Sequence, residues 1–162
     1  MRLTAGARLG PGAIMPAMAV KDLYDRDFLE WTARNAELLR AGRLEEADLE
    51  HIAEEIEDMG KRQRHELRSR LRVLLMHLIK WQSQPEKRGP SWIRTIGTQR
   101  LEIADLLRDA PSLRTVLEES LPGVYQEAVR LAAQETGIGS KAFAPQCTLT
   151  LEQVLDSDYY PK

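Results

Sequence analysis

The chain has 162 residues, 43% of them hydrophobic and 30% charged, with a formal net charge of −2. That length suffices for one domain with a real core, and the charge excludes a global electrostatic pull toward nucleic acid or membrane. Cys147 is the only cysteine, so neither an intrachain disulfide nor a cysteine-based zinc site is available. No apolar stretch approaches the ~20 residues that span a bilayer.

Residues 1–20 contain Arg2 and Arg8, no acid, and a short apolar stretch broken by Pro16. This is too short and interrupted for a signal peptide. An unanchored, disordered N-terminal extension is expected, with Met15 or Met18 as an alternative start, and residues 21–162 read as one helical domain. Asp25 can cap a first helix ending near Ala41, with Gly42 just past its end. Phe28, Trp31, Leu38 and Leu39 form its apolar stripe. Asn35 falls inside that stripe, where burial demands a hydrogen-bond partner.

Asp48 is the expected cap of a long helix. Leu49, Ile52, Ala53, Ile56, Met59, Leu67, Leu71, Leu74, Leu78 and Trp81 share one helical phase, and Gly60 does not reset it. Residues 49–81 therefore read as one helix, or as two meeting at a bend near Gly60. Between Leu71 and Ile79 the helix is apolar almost all round, as a helix buried on every side must be. Ser91 can cap a further helix to Asp109. Pro111 suits the first turn of a short helix ending near Ser120, and Pro122 opens another that stops at Gly137. Thr150 and Gln153 form a capping-box pattern for a last short helix. No stretch alternates with period two. The expected fold class is all-α: a single compact bundle of five to six helices around a long central helix.

Tyr24-Asp25-Arg26-Asp27-Phe28 with Trp31 forms a first motif, and Glu54-Glu55-Ile56-Glu57-Asp58-Met59-Gly60 a second. His77-Leu78-Ile79-Lys80-Trp81, Gln84-Pro85, Ser91-Trp92, Gln99-Arg100, Pro111-Ser112-Leu113, Glu135-Thr136-Gly137 and Glu152-Gln153-Val154-Leu155-Asp156 follow in order. With these motifs the chain, from Tyr24 to Pro161, resembles DUF29, a bacterial family named for lacking a known function. The resemblance implies a compact all-helical fold and a family start near Tyr24. It implies no activity, cofactor or catalytic residue.

Residues 45–58 hold eight carboxylates, and residues 61–72 then hold six Lys and Arg. His51, Glu54, Glu55 and Asp58 fall within about 100° of helical arc and are candidate ligands for manganese, iron or zinc. The plainer reading is a solvated acidic face, with Glu57 meeting Lys61 and Asp58 meeting Arg62 at i,i+4. A second candidate group is a buried polar network of Glu54, Glu55, Glu66, Arg70, His77, Gln99 and Arg100. His77 sits in the all-apolar segment, as a core histidine held by hydrogen bonds would. Arg100 lies mid-stripe between Ile96 and Ile103, so a carboxylate partner from Glu54, Glu55 or Glu66 is expected. The basic residues Lys61, Arg62, Arg64, Arg68, Arg70 and Arg72 read as spread round the helix, which argues against a nucleic-acid surface.

The leading expectation is a cytoplasmic, non-enzymatic helical protein that works through protein–protein contact, with itself or another chain, and needs no cofactor. One alternative is a helical metal-binding enzyme using His51, Glu54, Glu55 and Asp58. Another is a nucleic-acid-associated protein using the Arg run at 61–72.

Overall fold

The computed structural model describes residues 19–162. The expectation for residues 1–20 thus lies almost wholly outside the described residues, and Val20 already opens a helix. Among the described residues the α-helices are α1 (Val20–Arg26), α2 (Phe28–Arg40), α3 (Leu49–Ser83), α4 (Pro90–Asp109), α5 (Leu113–Thr136) and α6 (Leu151–Leu155), and no strand is present. Six helices with α3 the longest agree with the all-α reading. None of them is long and apolar enough to cross a membrane. The chain divides into two compact units between Asp58 and Met59, a division the sequence does not announce.

In the first unit the chain breaks at Asp27 rather than starting at Asp25. Asp27 leaves helical geometry at φ −150° and ψ 83°, and its Oδ1 accepts the Glu30 N–H at 3.0 Å. Asp25 lies inside α1, so Asp27 is the cap. Trp31, Asn35 and Leu38 are buried as the stripe predicts, whereas Phe28 and Leu39 stay exposed. Gly42 ends the α2 turn at φ 70°, a left-handed conformation that costs glycine little.

Helix α3 passes Gly60 without a break. Its apolar phase is continuous, but its burial is not. Leu67, Leu71, Leu74, Leu75 and Leu78 are almost wholly buried, while Leu49, Ile56 and Met59 are exposed. In the second unit the buried part of α3 packs in one core with Ile96 and Ile103 of α4, Leu117, Val124 and Ala128 of α5, and Val154 of α6.

Two boundaries differ from expectation. Helix α4 starts at Pro90 after an extended Gly89, and Ser91, inside its first turn, does not cap it. Proline at the first helical position lacks the N–H that would be unsatisfied there. Residues 113–136 form one helix, not two, because α5 continues through Pro122. Buried Leu113 and Leu117 before the proline, and Val124, Tyr125, Ala128 and Ala132 after it, hold α5 against the core on both sides. Packing of that extent outweighs the helix-breaking preference of one exposed proline. Gly137 stops α5 with φ 75°, and the Thr150–Gln153 capping box forms as expected.

Candidate functional site

The most elaborate polar arrangement in the first unit centres on Asp48, the residue before α3. Its carboxylate is fully buried. Oδ2 accepts the indole N–H of Trp31 at 3.0 Å and lies 2.6 Å from His51 Nδ1. Asp48 N–H donates to Asn35 Oδ1 at 2.8 Å, and Asn35 Nδ2 donates to the Trp31 carbonyl at 2.9 Å. Asn35 thereby gains the partners its burial requires. Asp48 Oδ1 is buried without a hydrogen-bond partner.

Aromatic rings close the arrangement. Tyr24 stacks on His51 with ring centroids 4.0 Å apart, and Phe28 stacks on Trp31 at 5.3 Å. The Tyr24 hydroxyl donates to Glu55 Oε1 at 2.8 Å. That bond pushes the Tyr24 pKa up to about 12, with burial and the charges of Glu55, Glu54 and Asp58 adding to it. Burial acts to raise the Asp48 pKa, but the hydrogen bonds from His51 and Trp31 and the charge on His51 outweigh it and leave it lowered. The bond to Asp48 raises the His51 pKa against some desolvation. Each partner thus favours the charged form of the other, and Tyr24 covers one face of the His51 ring. It resembles the oriented Asp–His half of a hydrolase site, yet among the described residues no serine or cysteine bonds to His51.

The four candidate metal ligands do not converge. His51 has committed Nδ1 to Asp48, Glu55 accepts from Tyr24, and Glu54 is exposed. Among the described residues, no group of three or more His, Cys, Asp or Glu side chains could hold a metal ion.

The expected polar network also resolves into separate pieces. In the second unit, Arg70 pairs with exposed Glu66 at 3.0 Å and with Glu102 at 3.4 Å. His77, half-buried, has Nδ1 2.9 Å from the Val73 carbonyl, and burial lowers its pKa. Gln99 is half-buried on α4. Arg100 is buried as expected, at 5% exposure, but its partners are not carboxylates. Its Nε donates to the Val154 carbonyl at 2.9 Å and its Nη2 to the Tyr159 carbonyl at 2.8 Å. Longer contacts reach the Ser157 and Gln153 carbonyls, at 3.3 and 3.5 Å. The guanidinium also lies 5.4 Å from the Tyr160 ring centroid. Arg100 thus gathers open carbonyls from the C-terminal end of α6 and from the segment that follows it.

The basic run is the largest departure from expectation. Lys61, Arg64, Arg68 and Arg72 of α3 line one groove against α5 in the second unit. At 100° per residue they fall within about 80° of arc, so only Arg62 and Arg70 point elsewhere. Glu127 of α5, which the sequence does not connect with them, accepts from Arg72 at 3.1 Å and lies 3.7 Å from Arg68.

Of the residues that build the Asp48–His51 site, Tyr24, Phe28 and Trp31 stood together in the first motif. No spacing rule ties them to His51, because the contact joins separate helices.

No curated protein and no solved structure matches the chain. The family model described as "Domain of unknown function DUF29" matches residues 23–160, nearly the whole chain, and the chain belongs to that family.

Proposed function

We propose that this protein is a non-enzymatic contact module, and that the first-unit part of α3 carries the contact. Leu49, Ile52 and Ile56 recur at i, i+3 and i+7, the spacing of a seam that one helix offers another. The observation that supports this most is the exposure of its two ends: Leu49 stands 48% open and Ile56 64%, with Ile52 half-buried between them. An isolated exposed aliphatic is ordinary, but an in-register row left open at both ends is what an interface needs.

The flanks of the seam indicate the partner. Residues 45–58 carry eight carboxylates and no Lys or Arg. A second copy docked through the same stretch would set acid against acid, which is destabilising. The fitting partner is a basic amphipathic helix, with its apolar face on the seam and its Lys or Arg beside Glu50, Glu54 and Glu57. The Asp48–His51–Trp31 cluster then has a structural role, bracing α3 on α2. A reducing cytoplasm suits this reading, with the lone cysteine as its support.

The test is fluorescence anisotropy of a labelled amphipathic peptide with Leu on one face and Lys on its flanks. Ile56→Glu is expected to weaken binding at least about tenfold, since about 1.5 kcal/mol or more goes with one buried Ile. Equal affinity for the Lys peptide and its Glu-flanked counterpart would overturn the proposal. So would a protein dimer that Ile56→Glu dissolves, which would make a second copy the partner.

A further inference from the structure

We propose that the groove between α3 and α5 in the second unit binds the phosphodiester backbone of a nucleic-acid strand, by charge and without reading sequence. The groove has a volume of about 460 Å³, and Lys61, Arg64, Arg68 and Arg72 line it from α3, with Ser120 and Glu127 facing them from α5. Successive cations are three or four residues apart. At a 1.5 Å rise per residue they form a row about 16 Å long. A single phosphate would meet one or two members of that row, whereas a ligand with regularly repeated charge meets all of it.

The charge balance favours an anion. Among the described residues that line the groove, Glu127 is the one acid, against one lysine and three arginines. It lies between Arg68 and Arg72, 3.7 and 3.1 Å away, and so holds two guanidinium groups at one place in the groove. Arg72 and Glu127 also border an adjoining depression with Arg130, which continues the basic row along α5. Planar guanidinium forks suit phosphate oxygens.

The lining also limits what is recognised. Among the described residues that line the groove none is Phe, Tyr or Trp and His65 supplies its one ring, so it lacks the large aromatic platform on which bases stack in single-strand sites. What remains is contact to phosphate and sugar, which positions a strand and does not specify its sequence. A bilayer presents its phosphates on a plane, while Arg68 and Arg72 converge inside a groove. The chain as a whole carries −2, so attraction is local, weak at physiological salt and steep in salt concentration.

The test uses the full chain and a labelled mixed-sequence DNA strand of about 16 nucleotides, the upper end of common single-strand site sizes. Anisotropy is measured from about 50 to about 200 mM salt. Three or four phosphate contacts give an expected slope of log K on log salt between about −2 and −3. Arg68→Gln should weaken binding and make that slope shallower by about 0.7, the share of one phosphate contact on a single strand. Glu127→Gln should tighten binding about fivefold by removing the opposing charge, a gain that damage to the fold would not produce. Arg108→Gln, a charge change on α4 outside the groove, should leave affinity unchanged. Binding that ignores salt, or a Glu127→Gln variant that binds no better than the parent, would overturn the proposal. It would also fall if vesicles rich in phosphatidylserine bind with the same Arg68 dependence while the oligonucleotide does not.

Discussion

Arg100→Met keeps much of the side-chain length and removes the charge and the donors. Two of its hydrogen bonds, to the Val154 and Tyr159 carbonyls, have normal lengths of 2.9 and 2.8 Å. The two near 3.3 and 3.5 Å are too long to weigh much. A hydrogen bond to a charged donor contributes about 1.5 kcal/mol at the low end of its range, so the two short ones contribute about 3 kcal/mol. Hydration of the released carbonyls and relief of a desolvated guanidinium return part of that. The expected loss is about 2–3 kcal/mol in urea unfolding, well above the 0–1 typical of an exposed ion pair. It should also be local first. Helix α6 has five residues, too few to persist without tertiary support, so amide exchange at 151–160 should accelerate more than exchange in the buried part of α3. A variant that unfolds within about 0.5 kcal/mol of the parent and keeps α6 protected would refute the reasoning, since truncating a real anchor exceeds that.

Leu74 is wholly buried in the core of the second unit, and Leu74→Ala should cost about 2–5 kcal/mol in denaturant unfolding; a loss below about 0.5 would show that the site collapses without a cavity. The Asp48–His51 pair should stabilise most between about pH 4 and about pH 6.5. The raised His51 pKa makes its contribution complete below 6.5 and lost as pH rises through the folded value. The lowered Asp48 pKa makes its contribution present above 3.8 and lost as pH falls through the folded value. Parent and His51→Gln stability curves measured against pH should therefore converge in alkaline solution, and a constant gap would remove the ion pair from the account. Pro122 lies exposed in the interior of α5, so Pro122→Ala should raise stability by about 1–2 kcal/mol, the helix gain less the added freedom of the unfolded chain. An unchanged or lower melting temperature would mean that α5 depends on the proline.

Local rules carried far in this chain where the cause was local. The αL stops at Gly42 and Gly137 and the Thr150–Gln153 capping box depend on residues within one turn of each other. So does the distinction between Asp25 and Asp27, which failed because both carry the same side chain and backbone geometry selected between them. Pro122 departs from the local rule for a different reason. Helix-breaking is a preference of the isolated segment, and burial on both sides of the proline outweighed it.

By itself the sequence determined an all-helical chain, the single phase of α3 through Gly60, the burial of Leu67, Leu71, Leu74, Leu78 and Arg100, and membership of a family without a known activity. Periodicity and burial of apolar side chains follow from residue type and spacing alone. Only the tertiary structure decided which part of the α3 stripe lies open, since exposure depends on what else arrives. It alone supplied Arg100 with backbone carbonyls more than fifty residues away: every residue has a carbonyl, so no letter in the sequence marks an acceptor. It likewise placed Glu127 of α5 beside Arg68 and Arg72, and turned a run of cations into one wall of a groove, because a groove needs a second helix to face the first.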